Sequence, residues 1–115
     1  DHVLAELITW LNQQTRPSML LFVSDHGESL GENGLFLHGM PYAMAPREQT
    51  HVPMLAWLSP AWQTEMGLRL DCLRQRAGSS YSHDNLFHTV LGLARVQTGL
   101  YNKELDVTAA CRTGG

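Results

Sequence analysis

Val3, Leu4, Leu7, Ile8 and Leu11 recur at three- and four-residue intervals, which gives one apolar face to a helix, with Trp10 beside it. Thr15-Arg16-Pro17 ends that helix, because proline cannot continue it and disfavours the helical region for Arg16. The pattern then changes from periodic to continuous. Ser18 to Val23 contains the unbroken run M-L-L-F-V, which reads as a strand buried on both faces of a helix-covered sheet. A second apolar run, Val52 to Ser59, predicts another strand, with Pro53 tolerable at its start. Pro60 then closes the strand and opens a short helix through Ala61-Trp62-Gln63 as a first-turn proline.

Further along, Leu70, Leu73 and Ala77 mark one side of a short helix over 68–77, with Arg69, Arg74 and Arg76 on a solvated face. Gly78-Ser79-Ser80 interrupts it. Ser82 is placed to cap a helix from His83 to about Ala94, and Asp84 suits its positive end. Leu86, Phe87, Val90, Leu91 and Ala94 are its expected buried stripe. Beyond Gln97-Thr98-Gly99 the pattern fades, and a loosely ordered tail is expected. Pro41 to Thr50 has no clear period and reads as an irregular segment wrapping over the loop that precedes it, where Tyr42 and Met44 suit either a lipid-facing surface or a satellite cluster.

That preceding loop holds the candidate chemistry. The first strand stops at Ser24-Asp25-His26-Gly27, and ligands of open α/β sheets bind beyond the carboxyl ends of strands. A carboxylate beside an imidazole can offer one oxygen and one nitrogen to a divalent cation, and zinc takes both at roughly 2.0–2.2 Å. His38 follows twelve residues after His26, and the glycines between allow the chain to return it to the same place. An Asp-His pair at a strand end also serves as a simple turn or helix cap, so the spacing alone leaves both readings open.

Other candidates are weaker. Glu28 and Glu32 suit turn and cap duties better than paired acid–base work. Ser24 and Ser29 lack the G-x-S-x-G elbow of serine hydrolases. His83 and His88, five apart, spread around a helix instead of sharing a face. His2 lies at a fraying end, and His51, just before the second strand, suits a backbone-bonded structural role better than a place at the border of the site.

Composition narrows the classes. With 115 residues, 43% hydrophobic and 17% charged, the chain is one domain at most and too apolar for disorder. Seven arginines and one lysine are scattered within a net charge of -3, which gives no footprint for nucleic acid or anionic head groups. No run approaches the roughly 20 apolar residues that cross a bilayer.

The string S-D-H-G-E-S-L-G-E-N-G-L-F-L-H-G, followed by P-Y-A-M-A-P and Q-T-H-V-P-M, resembles the phosphoethanolamine transferases of Gram-negative inner membranes. These enzymes modify lipid A, include the colistin-resistance type, and belong to the alkaline phosphatase and sulfatase superfamily. H-D-N-L-F-H-T-V-L-G-L and T-A-A-C-R extend the likeness, so it covers the chain from about Val3 to Arg112.

The resemblance implies an α/β fold: part of an alkaline phosphatase/sulfatase-like sandwich, a mostly parallel sheet flanked by helices. It implies that residues 1–115 are the C-terminal portion of a periplasmic catalytic domain, with the upstream catalytic half and a transmembrane domain outside the chain. In such enzymes zinc is held by an Asp-His pair, a glutamate and a threonine nucleophile. Asp25 and His26 match the pair, and His38 matches a later histidine that binds substrate or a second metal. The implied substrates are phosphatidylethanolamine as donor and lipid A phosphate as acceptor, through a phospho-threonine intermediate at the periplasmic face of the inner membrane. No threonine here stands in a context matching the nucleophile, and the glutamate ligand is also missing, so the chain alone is expected to be inactive. A phosphoglycerol transferase or sulfatase-like hydrolase fragment, or a non-enzymatic metal-binding module, are the alternatives. The oxidising periplasm leaves three states open for Cys72 and Cys111: a mutual bridge, a bridge outside the chain, or two buried thiols.

Overall fold

The computed structural model describes residues 1–113. In chain order the elements are α1 (His2–Asn12), β1 (Met19–Val23), β2 (Ser29–Leu30), β3 (Phe36–Leu37), α2 (Arg47–Thr50) and β4 (Met54–Leu58). Three helices follow, α3 (Pro60–Met66), α4 (Leu70–Arg76) and α5 (Asp84–Leu93), then single 3-10 turns at Lys103–Leu105 and Ala109–Cys111. The chain forms two compact units: Met19–Trp57, and a second made of residues 1–18 with the chain from Leu58 onward.

Within Met19–Trp57, β1 pairs with β4 and β2 with β3. The Ser24 amide, just past the end of β1, donates to the Pro53 carbonyl just before β4 at 3.3 Å. Strands whose end and start meet in this way run antiparallel. The expected mostly parallel sheet is therefore not what the described residues form. The expected burial of both strands on two faces also fails: β1 is half-buried throughout, and the first three residues of β4 are exposed. Among the described residues this sheet has two strands, and one pair cannot enclose its own faces. β2 and β3 are antiparallel, with Ser29 opposite Leu37 and Leu30 opposite Phe36.

In the other unit, α3 starts as its sequence dictates. Ser59 is its N-cap, its hydroxyl accepting from the Trp62 amide at 3.2 Å, and Pro60 takes the first turn. Gly67 ends it in the left-handed region, and the Leu68 amide donates back to the Gln63 carbonyl at 2.9 Å. α1 forms as predicted, yet none of its residues is buried, and Val3 and Trp10 are 65% and 58% exposed.

The stretch expected to be a loose tail is instead the most buried in the chain. Asp106, Val107, Thr108, Ala109 and Cys111 are all buried, and with Met66, Leu68 and Leu93 they make the core. A disulfide joins Cys72 in α4 to Cys111, with Cα atoms 5.5 Å apart, which settles the open state of the two cysteines. Leu68 and Arg112 form an antiparallel bridge, and the Arg69 amide donates to the Cys111 carbonyl at 3.0 Å.

α5 meets this segment through Thr89 and Leu93, not through the whole expected stripe: Phe87 and Val90 stay about half exposed. Thr89 tolerates complete burial because its hydroxyl donates to the Asn85 carbonyl at 2.7 Å and accepts from the Val107 amide at 3.1 Å. Ser82 does accept a first-turn amide, from Asp84 at 3.2 Å. Asp106 is fully paired: Oδ1 accepts from the Thr108 amide and hydroxyl at 2.8 and 2.7 Å, and Oδ2 from the Tyr101 hydroxyl at 2.8 Å and from Arg112. Burial first, and then the neighbouring Asp106 carboxylate, push the Tyr101 phenol above its ordinary value of 10.0.

Candidate metal centre

The loop from Ser24 to Gly39 lies wholly in the Met19–Trp57 unit. Its first turn is tied locally. The Ser24 hydroxyl donates to the His26 carbonyl at 2.8 Å, and the His26 amide donates to Asp25 Oδ1 at 3.0 Å. Asp25 Oδ1 is thus used by the backbone, and Oδ2 faces His26 Nε2 at 3.9 Å.

The tautomer of His26 follows from its other nitrogen. Nδ1 lies 2.9 Å from the Gly27 carbonyl, which can only accept, so Nδ1 carries the proton. In the neutral ring Nε2 then bears the lone pair, the state in which imidazole binds a metal. Zinc ligands at a tetrahedral angle lie about 3.3 Å apart. The observed 3.9 Å is wider, and Asp25 is exposed. The donor types fit a zinc ion. The donor number does not complete a site: among the described residues, no three His, Cys, Asp or Glu side chains converge on one point.

His38 does return to His26. The two rings stack with centroids 3.9 Å apart and 26° between planes. Leu37, immediately before it, has a φ of 67°, a conformation unusual for a leucine and one that stores strain next to the site. Glu28, read from the sequence as a turn residue, places Oε2 3.6 Å from His38 Nδ1. Glu32 does take a turn role, accepting from the Leu30 amide at 2.7 Å. Two other histidines have partners of their own. His88 accepts from the Asn102 amide at 3.1 Å, and His2 pairs with Glu6 along α1.

Two features of the loop were not read from the sequence. Gly27 packs so closely on α2 that a Cβ there would meet the Glu48 carbonyl at 1.9 Å. Gln49, in the segment expected to be irregular, is buried and hydrogen-bonded to the loop. The four-residue helix was too short for periodicity to reveal.

Comparison with known proteins follows the same lines. The Sulfatase family matches residues 1–96. "Phosphoethanolamine transferase EptA" of Salmonella typhimurium is 47% identical over 115 residues, which cover 97% of this chain and 21% of that protein. The soluble domain of lipooligosaccharide phosphoethanolamine transferase A from Neisseria meningitidis superposes with a TM-score of 0.92 at 46% identity, covering 97% of this chain and 34% of that one. The integral membrane form of that Neisseria meningitidis transferase gives a TM-score of 0.91 at 46% identity, covering 96% of this chain and 21% of the other. The chain thus spans about a fifth of the length of the Salmonella typhimurium enzyme and of the integral membrane form. The resemblance read from the motif is borne out: the chain belongs to the Sulfatase family.

Proposed function

We propose that the chain is the C-terminal portion of the periplasmic catalytic domain of a transferase that is zinc-dependent. It moves phosphoethanolamine from phosphatidylethanolamine to a lipid A phosphate. The observation that carries this reading is the Asp25–His26 pair, with Oδ2 3.9 Å from Nε2 and Nδ1 held by the Gly27 carbonyl. The phosphoethanolamine transferases it resembles support the transferred group, and the lipooligosaccharide named for the Neisseria meningitidis enzyme supports the acceptor.

On this reading Asp25 Oδ2 and His26 Nε2 are two zinc ligands, completed by a glutamate and a threonine outside the chain. Zinc held there supplies positive charge that acidifies the threonine hydroxyl and offsets the charge of the transferring phosphate. The Asp25 carboxylate balances part of the cation's charge. The Gly27 carbonyl holds the His26 ring in orientation through Nδ1. His38, stacked on His26, offers its imidazole to a phosphate oxygen or a second metal.

The transfer has two steps. The threonine oxygen bonds to phosphorus while the bond to the diacylglycerol oxygen breaks, and diacylglycerol leaves with the proton. A lipid A phosphate oxygen then bonds to phosphorus as the bond to the threonine oxygen breaks, and the proton of the attacking phosphate passes to the freed threonine. With neither nucleophile nor glutamate ligand, the chain by itself transfers nothing. The site would work at the periplasmic face of the inner membrane, anchored by a membrane domain outside this chain. Among the described residues no helix is long and apolar enough to cross a bilayer.

A chimera tests this. Salmonella typhimurium EptA carrying this chain in place of its matching segment should transfer phosphoethanolamine to lipid A and release diacylglycerol. The same chimera with Asp25→Asn or His26→Ala should lose that activity. An Asp25→Asn chimera as active as its parent would refute the metal role.

A further inference from the structure

We propose that Gln49 is the positioning residue that sets the approach of His26 to His38. The inference rests on reading those two histidines as site residues.

Gln49 lies in the single turn of α2 and is 6% exposed. It reaches the loop at three points. Its carbonyl accepts from the amide of Gly27, the residue after His26, at 2.9 Å. Its Nε2 donates to the Ser29 hydroxyl at 2.9 Å, a group only 1% exposed. Its Oε1 accepts from the amide of Met40, two residues after His38, at 3.3 Å. One amide group therefore joins the limb that carries His26 to the limb that returns with His38.

The loop has little else to hold those limbs in register. The ladder between them is two residue pairs long, and Ser29, one of its members, is also the Gln49 partner. So short a hairpin is marginal without outside support. Gly27 lies directly against the α2 backbone, where the Glu48 carbonyl leaves no room for a Cβ. The loop is thus seated on α2 at one end and clipped to it at the other. Gln49 touches neither imidazole in these bonds, so its effect passes through the backbone.

A buried amide could instead serve packing alone, and the stacked rings tell the two apart. In the metal-free 115-residue chain, ring-current displacement of the His26 and His38 ring protons reports the 3.9 Å stack by NMR. Gln49→Met keeps the length and removes both side-chain bonds; it should abolish the displacement. Gln49→Glu keeps an acceptor for the Met40 amide and a second for the Ser29 hydroxyl, and should restore it. A Gln49→Met chain that is folded and keeps the wild-type displacement would overturn the proposal. If that variant does not fold, Ser29→Ala decides: a reduced displacement supports the clip, and an unchanged one overturns it. The Asp25→Asn chimera stands separately: full activity there removes the metal reading and leaves the ring measurement, and hence the Gln49 assignment, intact.

Discussion

The rings of His26 and His38 stack with centroids 3.9 Å apart, although eleven residues and a hairpin separate them in the chain. On the proposed reading, His26 is a zinc ligand, and His38, stacked on it, offers its imidazole to a phosphate oxygen or a second metal. His38→Ala should then weaken binding of the first zinc ion by no more than about tenfold, the lower end of what loss of an outer partner costs. His26→Ala should remove one-to-one binding altogether. Isothermal titration of both variants checks the difference. Equal losses would make His38 a ligand in its own right.

The disulfide between Cys72 and Cys111 spans 39 residues. Closing a loop of that length restricts the unfolded chain by about 4 kcal/mol in the chain-entropy account. Reduction should lower the urea midpoint by a matching amount, and the Cys72→Ala/Cys111→Ala variant should show the same drop without further response to reductant.

Gly92 in α5 faces the buried Asp106–Arg112 pair, and a Cβ there would lie 1.9 Å from Asp106 Oδ2. Alanine in a helix is normally favoured over glycine by about 1 kcal/mol. Overpacking costs about 1–3 kcal/mol, and here it also displaces a charge pair. The clash wins: Gly92→Ala should destabilise by about 2 kcal/mol net, as read by chemical unfolding.

Burial and Asp106 raise the Tyr101 phenol above 10.0. The folded chain therefore keeps that proton where the unfolded chain releases it, and the associated stability is complete below pH 10 and lost as pH climbs through the raised value. Stability measured from pH 9 to 12 should fall along this course. Tyr101→Phe should flatten that part of the profile, whatever its effect at neutral pH.

Helix starts and the return of His38 to His26 were legible in the sequence because their signals are local. Ser59-Pro60 opens α3, and Asp25-His26 closes β1 within a few residues of the cue. What was missed depends on distant partners. The segment around Asp106 has little periodicity, yet a carboxylate with four donors and a disulfide fixes it more firmly than an apolar stripe would. The apolar run of β4 gave no direction, and its antiparallel pairing with β1 rests on how the intervening loop returns. Gln49 looks like any exposed polar residue in one dimension; only the fold brings the Gly27, Ser29 and Met40 groups around it.

The central claim concerns a single nitrogen, and 15N NMR of the histidine rings during zinc titration observes it directly. Added zinc should move His26 Nε2 and leave Nδ1 protonated on the Gly27 carbonyl, with weak one-to-one binding that Asp25→Asn abolishes. A zinc-induced change at His26 Nδ1, or none at His26 with binding elsewhere in the chain, would contradict the account.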